Sequence, residues 1–171
     1  MQSDEDQVLE YDLWRWHIEG VFPSDQPREQ AYVHIGVFVA WLADHDMLDA
    51  GWVARSGAAE AVATIRAHRG LPSGLRDLTE GRFAGDMLTP EGRGFTGAYY
   101  APEYGYPRDW RRAFGRKADR YDVPDTWATY DWIAPLIDRR HGEWVQAGRP
   151  ELMPLPRLLA VLMKIVRPRV R

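Results

Sequence analysis

The chain has 171 residues, of which 45% are hydrophobic and 27% charged, and its net charge is -3 at pH 7. This length is typical of a single domain with a real core, and the composition excludes a disordered chain. Because the sequence contains no cysteine, disulfides, thiolate nucleophiles and cysteine-ligated zinc are also excluded.

The two ends of the chain differ in charge. The N-terminus, MQSDEDQ, is acidic and lacks the basic and then apolar layout of a signal peptide. We therefore expect residues 1–10 to be a flexible acidic lead-in and the protein to be cytoplasmic. Near the other end, the apolar run from Leu158 to Met163 is far shorter than the ~20 residues of a membrane span, so none is predicted.

The first half of the chain predicts an extended segment followed by two helices. Residues 11–22 are rich in aromatic residues and are typical of a short strand or extended segment. A helix is predicted from about Glu29 to Met47, and a second one from Gly57 to Arg69, with a short helix from Ser73 to Gly81. One buried stripe of the first helix consists of Ala31, Ile35, Phe38 and Leu42.

The second half predicts two further helices joined by a loop. Thr89, followed by Pro90 and an acid, is the pattern of a capped helix start. A loop rich in tyrosine, proline and arginine is expected over residues 102–122. The last strong helix is predicted to begin with Asp125 as its N-cap, and Pro135 should kink or shorten it.

These elements predict a mainly α, single-domain helical fold with a short extended N-terminal segment. Its boundaries are placed at residues 11–150. Residues 151–171 are expected to form an apolar and then basic C-terminal segment.

The histidines do not show the spacing of a known metal motif. His34 and His45 lie on one face of the predicted helix with Trp41, but eleven residues of rise separate the two imidazoles by about 16 Å. One metal ion cannot bridge that distance. We therefore predict hydrogen-bonded structural histidines, with no metal and no cofactor, and we find no catalytic motif.

A binding surface is a further expectation from the sequence. Residues 1–30 hold eight acids against Arg15 and Arg28, and acidic surfaces hold basic partners such as nucleases. A protein partner, such as a basic toxin, is therefore the first hypothesis, and a non-enzymatic protein is favoured over an enzyme. The candidate binding residues are Trp16, His17, Glu19, His34, Trp41, Asp44, His45 and Asp46.

Two alternative functions stay open at the level of sequence. One is a small hydrolase-like or metal-binding enzyme that uses His17 and His34 with nearby carboxylates. The other is nucleic-acid binding through residues 99–117, where aromatic and basic residues interleave. Nucleic acid is the less favoured partner, because the same residues can cover a core or form a protein interface.

The chain also resembles an uncharacterised bacterial family over about residues 11–145. The resemblance lies in a signature of the form W-H-x-x-G-x-x-P followed by H-I-G-x-F-x-x-W, and it extends to L-T-P-E-G-R-G-F-T-G-A-Y-Y. Here the first block is preceded by Tyr11-Asp12 and runs from Trp16 to Pro23, and the second runs from His34 to Trp41. The resemblance implies a domain of unknown function that is similar to immunity proteins of toxin systems, and it carries over no catalytic residue.

Overall fold

A computed structural model describes residues 8–20, 22–114 and 121–153. This part of the chain is mainly α, as predicted, with one small antiparallel sheet formed by β1 (Glu10–Leu13) and β2 (Arg82–Ala84). The helices in chain order are α1 (Trp14–Glu19), α2 (Val33–Asp44), α3 (Ala50–Ser56), α4 (Ala59–Arg66), α5 (Pro90–Phe95), α6 (Tyr106–Phe114) and α7 (Trp127–Gln146). A π-helical turn over Thr96–Tyr100 continues α5 directly.

Helix α2 is the centre of the fold. Every residue from Val33 to Ala43 is buried, so this helix is apolar on all sides and not only along the predicted stripe. It packs against α4 and α7. Gly36 lets the neighbouring segment approach closely, because a Cβ atom at this position would lie 2.6 Å from the Cα atom of Ser73.

The core beside α2 is built from aromatic rings. The Phe38 ring lies 4.8 Å from that of Tyr100 and 4.9 Å from that of Tyr106, measured between centroids. Tyr100 and Tyr106 stack on each other at 5.3 Å. These contacts hold the π-helical turn and α6 against the N-terminal half of α2, where the candidate site lies.

Two helices of the first half begin or end differently from the prediction. The helix expected from Gly57 is preceded by α3, whose N-cap Asp49 accepts the N–H of Trp52. Gly57 ends α3 with φ of 73°, a left-handed conformation that glycine adopts without strain. The segment after Ser73 forms turns and not a helix.

The second half also corrects the sequence prediction at two points. The prediction of a loop over residues 102–122 is wrong for α6, which lies within that range. The nearby prolines and glycine are typical of loops and favoured that prediction. Thr126, not Asp125, caps α7 by accepting the N–H of Thr129, while the Asp125 carboxylate binds the Ser73 side chain. Helix α7 continues through Pro135. The predicted start of α5 at Thr89 and Pro90 is confirmed.

Some predicted features fall outside the described residues. The acidic lead-in is described only from Val8 onward, and the basic C-terminal segment only as far as Met153. Within the described ranges, no helix combines the length and the apolar character that crossing a membrane requires.

Candidate functional site

Three side chains from different elements meet at one end of α2. Asp12 comes from β1, His17 from α1, and His34 from the first turn of α2. His17 Nε2 lies 2.8 Å from Asp12 Oδ1, and His34 Nε2 lies 3.5 Å from Asp12 Oδ2. One ligand atom from each of the three residues lies within 4.8 Å of the other two.

The local backbone explains how His17 returns to Asp12. Leu13 is extended, with φ of -147°, and α1 begins immediately after it at Trp14. This abrupt change from strand to helix folds the chain back within five residues. The N–H of Leu13 also donates to Asp12 Oδ1 over 2.8 Å, which holds the carboxylate in place.

The Asp12 carboxylate is buried but well supplied with donors. Besides the Leu13 N–H and the two imidazoles, it accepts a hydrogen bond from the Tyr100 hydroxyl, with 2.7 Å between that oxygen and Oδ2. Burial alone would raise the pKa of Asp12, but the hydrogen bonds and positive charges of His17 and His34 outweigh it and hold this pKa well below its usual range. The carboxylate is therefore ionised at neutral pH.

The two histidines are held by a second layer of contacts. Their rings meet edge to face, with 4.7 Å between centroids. The other ring nitrogen of His17, Nδ1, is 3.2 Å from the Tyr121 hydroxyl. Tyr106 donates its hydroxyl proton to the backbone oxygen of His34 over 3.0 Å, and this anchors the first turn of α2.

The π-helical turn places Tyr100 over Asp12. A π turn shifts the helical register by one residue, and such turns occur frequently at functional sites. Burial is the main reason why the pKa of Tyr100 is raised well above its usual value, and the negative charge of Asp12 adds to this effect. Tyr100 therefore stays a neutral hydrogen-bond donor to the carboxylate.

A pocket of about 200 Å³ lies directly against the three residues. Asp12, His17 and His34 contribute to its lining, and Tyr11, Tyr106 and Trp110 supply aromatic walls. Glu103 and Arg111 complete the lining with charged groups that are partly exposed. The cluster is thus accessible to a small molecule and is not sealed inside the core.

The structure brings His17 and His34 together, but it places the other predicted residues elsewhere. Trp16 is 52% exposed on α1, and Glu19 is exposed at the end of the same helix. Trp41 is buried in the core, where its Nε1–H donates to Asp138 over 2.8 Å.

The remaining candidates lie at the opposite end of α2, where basic and aromatic neighbours pair with them. Asp44 accepts from the Tyr130 hydroxyl at 2.5 Å and lies 2.8 Å from His68 Nε2. Asp46 pairs with Arg66 at 2.8 Å, whereas the His45 ring stacks on Trp41 with 4.0 Å between centroids. The helix length separates these residues from His34 by about 16 Å, as the spacing predicted.

Sequence reasoning missed two members of the site, Asp12 and Tyr100. The signal available for Asp12 was its place in the Tyr11-Asp12 pair, shortly before Trp16 and His17 in the sequence. Tyr100 carried no comparable signal, because it meets Asp12 only through folding, 88 residues apart in sequence.

In residues 99–114, the described part of the aromatic and basic segment, Tyr104 is exposed at 48%. Tyr99, Tyr100, Tyr106 and Trp110 are all at most 4% exposed, so little of their ring surface is open for bases to stack on. Arg116 and Lys117 lie outside the described residues. The observed arrangement is the one expected of rings that cover a core.

Comparison with known proteins gives a family but no characterised relative. Residues 10–123 match the model of a family described as a domain of unknown function, DUF7832. No curated protein and no solved structure matches the chain. Asp12, His17, His34, Tyr100 and Tyr121 all lie within the matched range.

Proposed function

The chain belongs to the DUF7832 family of unknown function, and we propose that it binds a divalent transition-metal ion at Asp12, His17 and His34. The observation that carries the proposal is the meeting of three nitrogen and oxygen ligand atoms within 4.8 Å at the wall of a pocket. Two imidazoles and a carboxylate form a ligand set that suits zinc and related ions.

The number of ligands supports a catalytic or ligand-binding centre over a structural one. Structural zinc sites usually have four protein ligands, whereas catalytic sites have three and leave one position for water or substrate. Here three residues converge, and all three line the pocket. The proposal therefore includes an open coordination position that faces the pocket.

The surrounding hydrogen bonds are compatible with metal binding. The Nε2 atoms of His17 and His34 both face Asp12, so these are the ring atoms that would be offered to an ion in place of their protons. The neutral His17 ring would then carry its proton on Nδ1. The Tyr121 hydroxyl, 3.2 Å away, can accept this proton as well as donate its own, so it supports either tautomer.

Hydrolysis is the reaction class that such a centre supports. A bound divalent ion would lower the pKa of a coordinated water and polarise a carbonyl or phosphoryl group of a substrate. Asp12, His17 and His34 would hold that ion, and the pocket that they line would admit the substrate beside it.

Metal titration of the purified, metal-free protein tests the proposal. Zinc affinity is measured by competition with a chromogenic chelator, and Co²⁺ absorption reports the coordination number. We expect His17→Ala and His34→Ala each to weaken zinc binding by about a hundredfold or more. The matched control is His68→Ala, because His68 also pairs with a carboxylate at 2.8 Å but belongs to no three-ligand group among the described residues. Equal zinc affinity in all four proteins would overturn the proposal.

A second candidate function is protein binding, in the manner of a bacterial immunity-type inhibitor that works in the cytoplasm. The observation that favours it is Trp16, which is 52% exposed near the pocket, since exposed tryptophans often anchor interfaces. The test is titration with the purified product of the neighbouring gene. Tighter binding by the wild type than by Trp16→Ala would support this function, and no binding by either protein would count against it.

A further inference from the structure

The groups that line the pocket beyond the metal ligands point to the chemical class of its ligand. We propose that this ligand is a small organic carboxylate, about the size of one substituted aromatic ring, whose acid group is bound by Arg111. The inference deepens the proposed function and rests on it, because the rest of the ligand then extends towards the ion at Asp12, His17 and His34.

Arg111 can exchange its present ion-pair partner, Glu103, for the anionic group of a ligand with little loss of stability. Its Nη1 atom lies 3.3 Å from Glu103 Oε2, and both side chains are exposed, at 45% and 79%. Exposed ion pairs of this kind contribute little to stability because water screens them. A ligand carboxylate can therefore replace Glu103, and the planar guanidinium can bind both carboxylate oxygens at once.

Trp110 lines the same pocket and carries a buried indole N–H. Only 3% of its surface is exposed, and its Nε1–H has no acceptor within the part of the chain that the structure describes. Buried N–H groups nearly always have a partner, so a lone one calls for an explanation. This nitrogen is shielded from solvent, so a ligand oxygen could accept from it only after the indole moves towards the pocket.

The size and walls of the pocket define the body of the ligand. Its volume is about 200 Å³, somewhat larger than the roughly 150 Å³ of a cavity that holds benzene. Tyr11, Tyr106 and Trp110 line it, and aromatic walls favour a flat, apolar body.

The charge at the metal site also favours an anion. The two positive charges of a divalent ion exceed the single negative charge of Asp12, since metal-bound imidazoles are neutral. Arg111 adds a positive group at the pocket. The negative charge of Glu103 lies mostly in solvent, where it is screened.

Benzoate and benzamide form a suitable pair of probes, because they have nearly the same shape and differ in charge. Calorimetric titration of the zinc-loaded protein should show benzoate binding about tenfold more tightly than benzamide, the gain expected from charge-assisted hydrogen bonds. Arg111→Gln should remove this preference by weakening benzoate alone. Arg111→Lys should keep part of it, because the charge remains but the fork of donors is lost.

The control is Arg112→Gln, which removes a neighbouring exposed arginine that does not line the pocket. It should leave the affinity of both probes unchanged. Equal binding of benzoate and benzamide by the wild type, or an unchanged preference in Arg111→Gln, would overturn the inference.

Failure of the proposed function can be told apart from failure of this inference. Loss of the proposed function appears as an absence of zinc uptake, which is measured before any probe is added. In that case the same titrations are made on the metal-free protein. A preference for benzoate that depends on Arg111 would still support the anion site, and no preference would overturn it.

Discussion

Two buried tyrosines can be used to test whether Asp12 is charged. The hydroxyl of one donates to a carboxylate, and that of the other donates to a backbone carbonyl. Tyr100 is 4% exposed and donates to the Asp12 carboxylate over 2.7 Å. Tyr106 is 1% exposed and donates to a neutral carbonyl, the backbone oxygen of His34, over 3.0 Å. The two rings stack on each other, so replacing either one by phenylalanine preserves similar packing.

The expected magnitudes follow from the two acceptors. A hydrogen bond to a charged group contributes about 1.5–3 kcal/mol, whereas one between neutral groups contributes about 0.5–1.5 kcal/mol. Tyr100→Phe should therefore lower the free energy of unfolding more than Tyr106→Phe does. For a chain of this length, each kcal/mol shifts Tm by about 2–4 °C, so Tyr100→Phe should lower Tm by about 3–12 °C.

The assay is urea unfolding, followed by tryptophan fluorescence in the presence of a chelator, for the wild type and both variants. Since the pKa of Asp12 lies well below its usual range, the difference between the variants should persist from neutral pH down to about pH 4. Equal losses of stability in the two variants at neutral pH would show that Asp12 is not ionised. The electrostatic description of the site would then be wrong.

Three further predictions concern the stability of the fold. Arg140 donates to Asp109, which is 1% exposed, at 2.7 and 3.2 Å. Arg140→Met should cost about 3 kcal/mol in urea unfolding, because the buried carboxylate would keep only the Tyr99 hydroxyl and the more distant Arg108, at 3.7 Å. Asp109→Leu combined with it should recover a large part, and a double variant as unstable as the single one would contradict this. Gly36→Ala should cost about 1–3 kcal/mol because its Cβ would lie 2.6 Å from a backbone atom. Gly142 lies inside α7, and a Cβ atom added there would have no neighbour within 4 Å. Gly142→Ala should therefore raise the free energy of unfolding by about 0.5–1 kcal/mol. Destabilisation by both glycine substitutions would contradict this steric explanation. Finally, the lowered pKa of Asp12 means that its contribution to stability is present above about pH 4 and is lost as the pH falls towards the folded-state value. Asp12→Asn should therefore lose less stability than the wild type between about pH 5 and 3, and parallel curves would exclude this linkage.

The mainly α fold and several of its helices could be predicted from the sequence. The stripe of Ala31, Ile35, Phe38 and Leu42 is fully buried, as its periodicity predicted. The capped start of α5 was also correct. Both features depend on residues within a few turns of each other, so local pattern is sufficient to predict them.

The elements that were missed depend on longer contacts. Helix α6 carries the buried Asp109, whose partner Arg140 is 31 residues away in α7. The neighbouring prolines and glycine favour a loop when they are considered alone. Asp125 has the residue type of an N-cap, but its carboxylate binds the side chain of Ser73.

Two features of the candidate site follow from residue types and spacing alone. The chain offers no cysteine ligand, and the spacing of His34 and His45 along one helix excludes a metal shared between them, because helix rise is constant. The meeting of His17 with His34, and the addition of Asp12 and Tyr100 to the site, depend instead on tertiary packing. These residues lie on four separate elements, and their contacts follow from how the elements pack around α2, which no local periodicity encodes.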